Sequence, residues 1–286
     1  MSNNKVHIPY HSAIFIDLDG TLVMRDGSIP EKAITSLNEA QSKGYMIVIA
    51  TGRMYRSALK EAARIGVNED SAIISYNGAL AAKISNINDV MYSNNISGAD
   101  FYQAIGILDK YKNHDITVFC YSHDELLVDR ENDLLAEYTA RTGAKYKKIK
   151  NFQTLNGSPK ILAITKPEKP QILKIIANEF MEKMADKVEC AFSFEHYFEI
   201  NAKNVTKGHA IKKISEYYKV PFENTFAIGD SFNDIEMFGS VKTSIAMGNA
   251  APEVQKRATF VTSDISNDGI FNAVNKFILN KKNAVN

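Results

Sequence analysis

The stretch Asp17-Leu18-Asp19-Gly20-Thr21-Leu22 directly follows the apolar run Ala13–Ile16 and is the strongest indication of the fold in the sequence. A short apolar run that ends in polar residues is typical of a parallel strand buried on both faces. Two carboxylates two residues apart in extended backbone point in the same direction, and like charges held together need a proton or a cation between them. Asp17 and Asp19 therefore indicate a site for a hard divalent cation such as Mg²⁺, although the same aspartates could simply cap a turn.

Further apolar runs have the length of buried strands, and helical patterns lie between many of them. These runs are Met46–Ala50, Ala72–Ser75, Thr225–Ile228, Ser244–Met247 and Thr259–Thr262. Strand and helix alternation predicts an α/β fold, in which helices cover both faces of a parallel sheet. In such a doubly wound sheet the carboxyl ends of the strands share one crevice, so the polar residues that follow them should converge.

Three more groups of polar residues stand at such positions. Thr51-Gly52-Arg53 follows the second strand, where a hydroxyl and a glycine amide can bind phosphate, although Thr-Gly is also an ordinary turn. Lys207 opens a predicted helix, where the helix dipole disfavours a cation; it could neutralise a phosphoryl group or be a surface lysine. Asp230 and Asp234 follow another apolar strand and could reach the crevice or act only as helix caps.

Composition and charge exclude several functions. The 286 residues carry 34 basic and 33 acidic side chains, a formal net charge of +1, so we expect no nucleic-acid partner and no anionic membrane surface. Two cysteines are too few for a disulfide framework. The N-terminus, Met1–Tyr10, is short and polar, and no apolar run has the length of a membrane span or of a signal-peptide core. We therefore expect a cytoplasmic protein.

The middle of the chain follows a different pattern. From about Ile84 to His196 the sequence predicts its own helices and paired strands, enough for a small α+β domain. Only about thirty residues separate Asp17 from Thr51, the normal length of one crossover helix with its strand. The extra domain is therefore inserted after Thr51 and before Lys207.

Together, the four polar groups resemble the four motifs of the haloacid dehalogenase-like (HAD) superfamily, and their spacing resembles its Cof-type phosphatases. Three further strings look like Cof-type signatures: Asn77-Gly78-Ala79, Ala246-Met247-Gly248-Asn249-Ala250 and Asn267-Asp268-Gly269. The place of the insertion is similar to that in members with a type-IIB cap. The resemblance implies a Rossmann-like doubly wound parallel-sheet core, formed by residues 1–84 and 197–286, and an α+β cap formed by residues 85–196.

The resemblance also implies an activity and a role for each residue. The chain is expected to be a Mg²⁺-dependent phosphatase that forms an aspartyl phosphate on Asp17, with Asp19 as general acid and base. Mg²⁺ is expected to be held by Asp17, by the backbone carbonyl of Asp19 and by Asp230, while Asp234 supports its waters or orients Lys207. The residues expected to hold the phosphoryl oxygens are Leu18, Thr51, Gly52, Lys207 and Asn233. No organic cofactor is expected.

Some alternatives stay open from the sequence. Phosphomutases of the phosphomannomutase type combine similar motifs with a similarly placed cap, and a chain with these motifs could also be a catalytically silent binding protein. Dehalogenase chemistry is disfavoured, because a halide leaving group needs no acid whereas an alkoxide does. We expect a small phosphate ester as substrate, sugar phosphates first and cofactor phosphates second, and a monomer or homodimer.

Overall fold

Strands and helices alternate along much of the chain in the computed structural model, which describes residues 10–280 apart from the side chains of residues 141 and 142. Residues 1–9 and 281–286, which the sequence prediction assigned to the core domain, lie outside the described part. The strands of the described part are β1 (Ser12–Ile16), β2 (Tyr45–Ala50), β3 (Ala72–Ser75), β4 (Leu80–Lys83), β5 (Val90–Ser93), β6 (Ile96–Ser97), β7 (Thr117–Ser122), β8 (Glu125–Val128), β9 (Tyr146–Lys148), β10 (Gly157–Ser158), β11 (Ile161–Ile164), β12 (Val188–Phe194), β13 (Tyr197–Ala202), β14 (Thr225–Gly229), β15 (Thr243–Ala246) and β16 (Phe260–Val261). The helices are α1 (Glu31–Ser42), α2 (Tyr55–Arg64), α3 (Gly98–Asp109), α4 (Asp133–Thr142), α5 (Gln171–Met184), α6 (Lys207–Tyr218), α7 (Ile235–Phe238), α8 (Pro252–Gln255) and α9 (Gly269–Ala273), and a π-helical segment, Val274–Leu279, continues α9.

The first of two compact units contains an eight-stranded sheet and comprises the described residues up to Tyr92 and from Thr206 onward. Its strand order is β16-β15-β14-β1-β2-β3-β4-β5, and the strands from β16 to β3 pair in parallel. The central strand β1 lies between β14 and β2, with Ile16 in register with Ile228 and Ile49. The carboxyl ends of these three strands therefore lie side by side.

Alternating residues of the sheet pack into two separate apolar layers. Ile14, Ile16 and their neighbours pack with side chains of α1, α2 and α9. Ala13 and Phe15 belong to the second layer, with side chains of α6, α7 and α8. Because both faces of the strands are covered, nearly every strand residue must be apolar, which explains the continuous apolar runs in the sequence. The predicted doubly wound α/β fold is confirmed.

The second unit, Ser93–Val205, has its own six-stranded sheet in the order β12-β13-β11-β7-β8-β9. Its strands pair antiparallel except for the parallel pair β8 and β9. The helices α3, α4 and α5 belong to this unit, as does the short ladder between β6 and β10.

The unit boundaries differ from those of the sequence prediction, which placed the second domain at residues 85–196. In the structure β5 is an edge strand of the first sheet, next to β4, so the first unit continues to Tyr92. Tyr197–Ala202, assigned to the core by sequence, is β13, which pairs with β11 and β12 inside the second sheet. Pairing partners in a sheet are set by contacts distant in sequence, so the sequence of β13 alone does not show which sheet the strand joins.

Candidate active site

The polar residues that follow β1, β2 and β14 lie together at the carboxyl ends of these neighbouring strands of the first sheet. The backbone N–H of Asp17, one residue past β1, donates to the carbonyl oxygen of Ile228 in β14 at 3.0 Å. On the other side of β1, the N–H of Thr51 donates to the carbonyl oxygen of Ile74 at 2.9 Å. The backbone thus continues the sheet pairing for one residue beyond β1 and β2. This pairing fixes the backbone positions of Asp17 and Thr51, from which their side chains extend.

Lys207 is buried in this site, although it is the first residue of α6. Its Nζ donates to Oδ1 of Asp17 at 2.5 Å and to Oδ1 of Asp234 at 2.7 Å. Burial lowers the pKa of Lys207, but the two carboxylates outweigh this effect and hold the pKa above its ordinary value. The alternative interpretation of the sequence, that Lys207 is an ordinary surface lysine, is therefore wrong.

Asp234 is fully buried and connects Lys207 to the loop that carries Asp230. Its second oxygen, Oδ2, accepts from the backbone N–H groups of Asp230 and Ser231, each at 2.9 Å. A Cβ on Gly229 would lie 2.5 Å from this oxygen, so only glycine allows the loop to pass so close to the carboxylate. Asp234 is the last residue of the 3₁₀ turn Phe232–Asp234, and its carboxylate completes a capping box with Ser231 at the start of that turn. The same carboxylate also binds Lys207.

Three carboxylates, those of Asp17, Asp230 and Asp234, each offer an oxygen within 4.8 Å of the others. Burial, against the opposing effect of Lys207 and with a smaller contribution from the charge of Asp234, raises the pKa of Asp17 to about 8. Burial also raises the pKa of Asp230 to about 6, against the hydrogen bond from Thr21. The ammonium group of Lys207 alone therefore does not neutralise the three carboxylates of this cluster. Clustered oxygen donors with excess negative charge suit a hard divalent cation.

Asp19 lies apart from this cluster, and its side chain is 62% exposed. Arg53 binds it with two hydrogen bonds, from Nε to Oδ2 at 2.8 Å and from Nη2 to Oδ1 at 2.5 Å. The Arg53 guanidinium also contacts Glu61, with Nη1 at 3.3 Å from Oε1. The sequence predicts no role for Arg53 beyond its place in the string Thr51-Gly52-Arg53, because no local signal connects it to Asp19, which lies 34 residues away.

Three of the five residues predicted to hold phosphate, Thr51, Gly52 and Asn233, lie around Asn77. The Asn77 N–H donates to the Thr51 carbonyl oxygen at 3.0 Å, and its Oδ1 accepts from Asn233 Nδ2 at 3.3 Å. A Cβ on Gly52 would lie 2.7 Å from the same Oδ1. Leu18 differs from the others, because its side chain is buried in the apolar core. Only its backbone is therefore available to a phosphoryl group.

A sequence model of the haloacid dehalogenase-like hydrolases matches residues 14–274 of the chain. The chain belongs to this family. One relative, the 5-amino-6-(5-phospho-D-ribitylamino)uracil phosphatase YitU of Bacillus subtilis, is 27% identical over 263 residues, which cover 90% of this chain and 94% of the relative. The solved structure of a Thermotoga maritima protein, TM0651, is 27% identical, with a TM-score of 0.80, and the match covers 92% of this chain and 96% of that one.

The fold is shared with a HAD subclass IIB sugar phosphatase, BT4131, at a TM-score of 0.78 and 23% identity, over 93% of this chain and 98% of that one. The family predicted from the four motifs is confirmed, and so is the enzyme class, a HAD hydrolase of phosphate monoesters. Over residues 10–280, no helix has both the length and the apolar character that crossing a membrane requires. The cytoplasmic location and the monomeric or dimeric state stay predictions.

Proposed function

We propose that this HAD hydrolase is a Mg²⁺-dependent phosphatase that cleaves small phosphate monoesters, sugar or cofactor phosphates, through an aspartyl phosphate on Asp17. The observation that carries the proposal is the buried ammonium of Lys207, 2.5 Å from the carboxylate of Asp17. A carboxylate nucleophile that attacks a phosphate dianion needs positive charge at the same place, because the two anions repel each other.

The residues that would hold Mg²⁺ are the carboxylates of Asp17 and Asp230 and the backbone carbonyl of Asp19, with Asp234 in support. The three clustered carboxylates support this assignment, since they supply the hard oxygen donors that Mg²⁺ prefers. When bound, Mg²⁺ would neutralise charge on the phosphoryl oxygens and favour the ionised form of Asp17.

In the first half of the reaction, one carboxylate oxygen of Asp17 attacks phosphorus while the bond to the ester oxygen breaks. Asp19 gives its proton to the departing alkoxide, which leaves as an alcohol. The exposed position of Asp19 supports this role, because its carboxyl group can reach a leaving group that extends away from the buried cluster. The two hydrogen bonds from Arg53 would have to loosen for Asp19 to carry the proton.

In the second half, Asp19 takes a proton from water as the water oxygen attacks phosphorus. The bond between phosphorus and the Asp17 oxygen breaks, which restores the carboxylate and releases inorganic phosphate. Lys207, the Thr51 hydroxyl, the backbone amides of Leu18 and Gly52, and the Asn233 side chain would hold the phosphoryl oxygens. Most of the acceleration would come from positioning and charge neutralisation.

The substrate class rests on family likeness. The Bacillus subtilis relative is named for a phosphorylated ribityl compound, which supports a phosphorylated polyol or sugar as the first substrate to try. The role of the second unit as a type-IIB cap that selects the substrate stays a prediction.

The proposal is tested by hydrolysis of para-nitrophenyl phosphate, measured with Mg²⁺ and with EDTA. We expect the wild type to be active only with Mg²⁺, and Asp17→Asn to be folded but inactive. Asp26→Asn is the matched control: Asp26 is an exposed aspartate whose Oδ1 accepts from the hydroxyl of Ser28 at 2.6 Å, outside the acidic cluster. Wild-type turnover by a folded Asp17→Asn variant would refute the covalent mechanism, and full activity in EDTA would refute the metal requirement.

A further inference from the structure

Asn249, in the loop after β15, connects three separate segments of the chain through its exposed side-chain amide. Its Nδ2 donates to the carbonyl oxygen of Gly20 at 2.8 Å and lies 3.5 Å from Oδ2 of Asp230. Its Oδ1 accepts from the backbone N–H of Ile265 at 3.0 Å. One amide thus joins the loop after β1, the loop after β14 and the turn at Ile265.

The orientation of this amide is determined by its partners. The Ile265 N–H can only donate, so it must face the amide oxygen, while the Gly20 carbonyl can only accept, so it must face the amide nitrogen. A flipped amide would lose both hydrogen bonds. The NH₂ group of Asn249 is therefore fixed on the side of Gly20 and Asp230.

The carboxylate of Asp230 has a donor near each of its oxygens. The buried hydroxyl of Thr21 donates to Oδ1 at 2.9 Å, and the amide of Asn249 lies near Oδ2. Gly20, at φ +87°, packs its backbone directly against this carboxylate, where a Cβ would collide with Oδ2. By holding the Gly20 carbonyl, Asn249 also keeps Gly20 and Thr21 in contact with Asp230.

We infer that Asn249 is a positioning residue that fixes the rotation of the Asp230 carboxylate and so sets the affinity of the site for its divalent cation. The inference rests on the proposed function, in which Asp230 is a metal ligand. A carboxylate that rotates freely must lose that rotational freedom when it binds a cation. Before the cation binds, the neighbouring carboxylates also repel it. Outer donors that orient it beforehand strengthen binding, and their loss typically weakens metal affinity by about 10- to 100-fold.

The experiment measures metal binding directly, without substrate, by titrating Mn²⁺ into the metal-free enzyme and following the free ion by electron paramagnetic resonance. Displacement by Mg²⁺ then gives the Mg²⁺ affinity. We expect Asn249→Ala to bind Mn²⁺ about 10-fold more weakly or worse. Asn249→Gln, which keeps the amide but moves it by one methylene group, should also bind more weakly. Turnover of both variants should approach the wild-type value at saturating Mg²⁺.

The matched control is Asn272→Ala. The Asn272 amide donates to the Ser263 hydroxyl at 3.0 Å and to the Asn267 carbonyl at 3.2 Å, so it supports the same turn without touching Gly20 or Asp230. We expect this control to bind Mn²⁺ like the wild type, and circular dichroism should show all variants folded.

Unchanged Mn²⁺ affinity in both Asn249 variants would overturn the inference, as would an equal loss in Asn272→Ala, because the turn alone would then explain the effect. A wild type that binds neither Mn²⁺ nor Mg²⁺ would instead overturn the metal part of the proposed function, and the inference with it.

Discussion

Lys207 and Asp17 form an ion pair between residues 190 positions apart in sequence, and their side chains are 0% and 8% exposed. The ammonium is shared with Asp234, whose side chain is also fully buried. Bringing an ion pair into a protein interior is costly, and an equally large apolar contact often gives more stability. A buried arrangement of this kind therefore points to chemistry at Asp17 more than to the stability of the fold.

The first prediction concerns the loss of this ammonium. Lys207→Met keeps most of the side-chain volume but leaves Asp17 and Asp234 buried without their cation. Breaking a buried pair from one side typically costs 3–5 kcal/mol, so we expect the free energy of unfolding to fall by about 3 kcal/mol. Urea unfolding in EDTA, followed by circular dichroism, measures this loss without a contribution from bound metal.

Lys212→Met serves as the control for this experiment, since Lys212 lies on α6 but is exposed. Its free energy of unfolding should stay within about 0.5 kcal/mol of the wild type. Equal stabilities for Lys207→Met and Lys212→Met would show that the buried carboxylates do not depend on the ammonium of Lys207.

The second prediction separates the role of Asp19 from that of Asp17. Asp19→Ala removes the proposed proton donor, and general acids contribute about 10²- to 10⁴-fold to rates. We expect a loss of at least about 10²-fold with an alkyl phosphate, whose alkoxide needs a proton to leave. The loss should be much smaller with para-nitrophenyl phosphate, because nitrophenolate leaves without a proton; both losses are measured in kcat/KM, which reports the first half of the reaction and not the second half, where Asp19 acts as base for either substrate. Equal losses on the two substrates would exclude Asp19 as the acid.

The strands and the residues at their ends could be predicted from the sequence, because strands covered on both faces are apolar throughout and their limits are sharp. All six predicted runs are strands of the first sheet. The relation between Asp17 and Asp19 could not be predicted in the same way. Their two-residue spacing gives a common direction only in extended backbone, but β1 ends at Ile16 and Gly20 turns the chain at φ +87°. Asp19 therefore pairs with Arg53 outside the acidic cluster.

The connecting side chains could not be predicted, for a different reason. Asn77 and Asn249 stand out in the sequence only as parts of signature strings, and their partners Asn233 and Gly20 lie 156 and 229 residues away. Hydrogen bonds between distant loops leave no periodic pattern in the sequence. Their role becomes visible only once the carboxyl ends of the strands are placed side by side.

The third prediction is a pH dependence in the second unit. Glu179 on α5 receives hydrogen bonds from Lys110, from Lys183 at 2.5 Å and from the Tyr111 hydroxyl at 2.8 Å. In order of effect, Lys110, Lys183 and Tyr111 lower the pKa of Glu179 from 4.5 to about 2. Because the folded pKa is lowered, the stabilisation is complete above pH 4.5 and is lost as the pH falls toward 2.

Glu179→Gln should therefore be less stable than the wild type at pH 7, and the difference should shrink at pH 3. Both lysines are about half exposed, so solvent screening limits the difference at pH 7 to about 1 kcal/mol. Urea unfolding at the two pH values measures it. Glu182→Gln, at an exposed position on the same helix, should show no such change, and a pH-independent loss in Glu179→Gln would contradict the prediction.

The last prediction concerns Gly78, whose backbone adopts φ +107° in the turn after β3. A Cβ at this position would collide with the carbonyl oxygen of Thr206, the residue whose side chain caps α6 immediately before Lys207. Gly78→Ala thus combines an unfavourable backbone conformation with a clash against main chain, and neither can be relieved by rotating a side chain. We expect the free energy of unfolding to fall by more than about 2 kcal/mol, and turnover to fall with the displacement of Lys207.

Gly239→Ala provides the opposite case within the same unit. Gly239 has φ −72° and is exposed, and a Cβ there would meet its nearest atoms at 3.8 Å, an ordinary contact distance. Since alanine restricts the unfolded chain more than glycine does, this variant should be stabilised by about 0.4–1 kcal/mol. Urea unfolding of both variants measures the contrast. Similar stabilities for Gly78→Ala and the wild type would mean that the turn at Gly78 can move away from Thr206, and that it does not fix the start of α6.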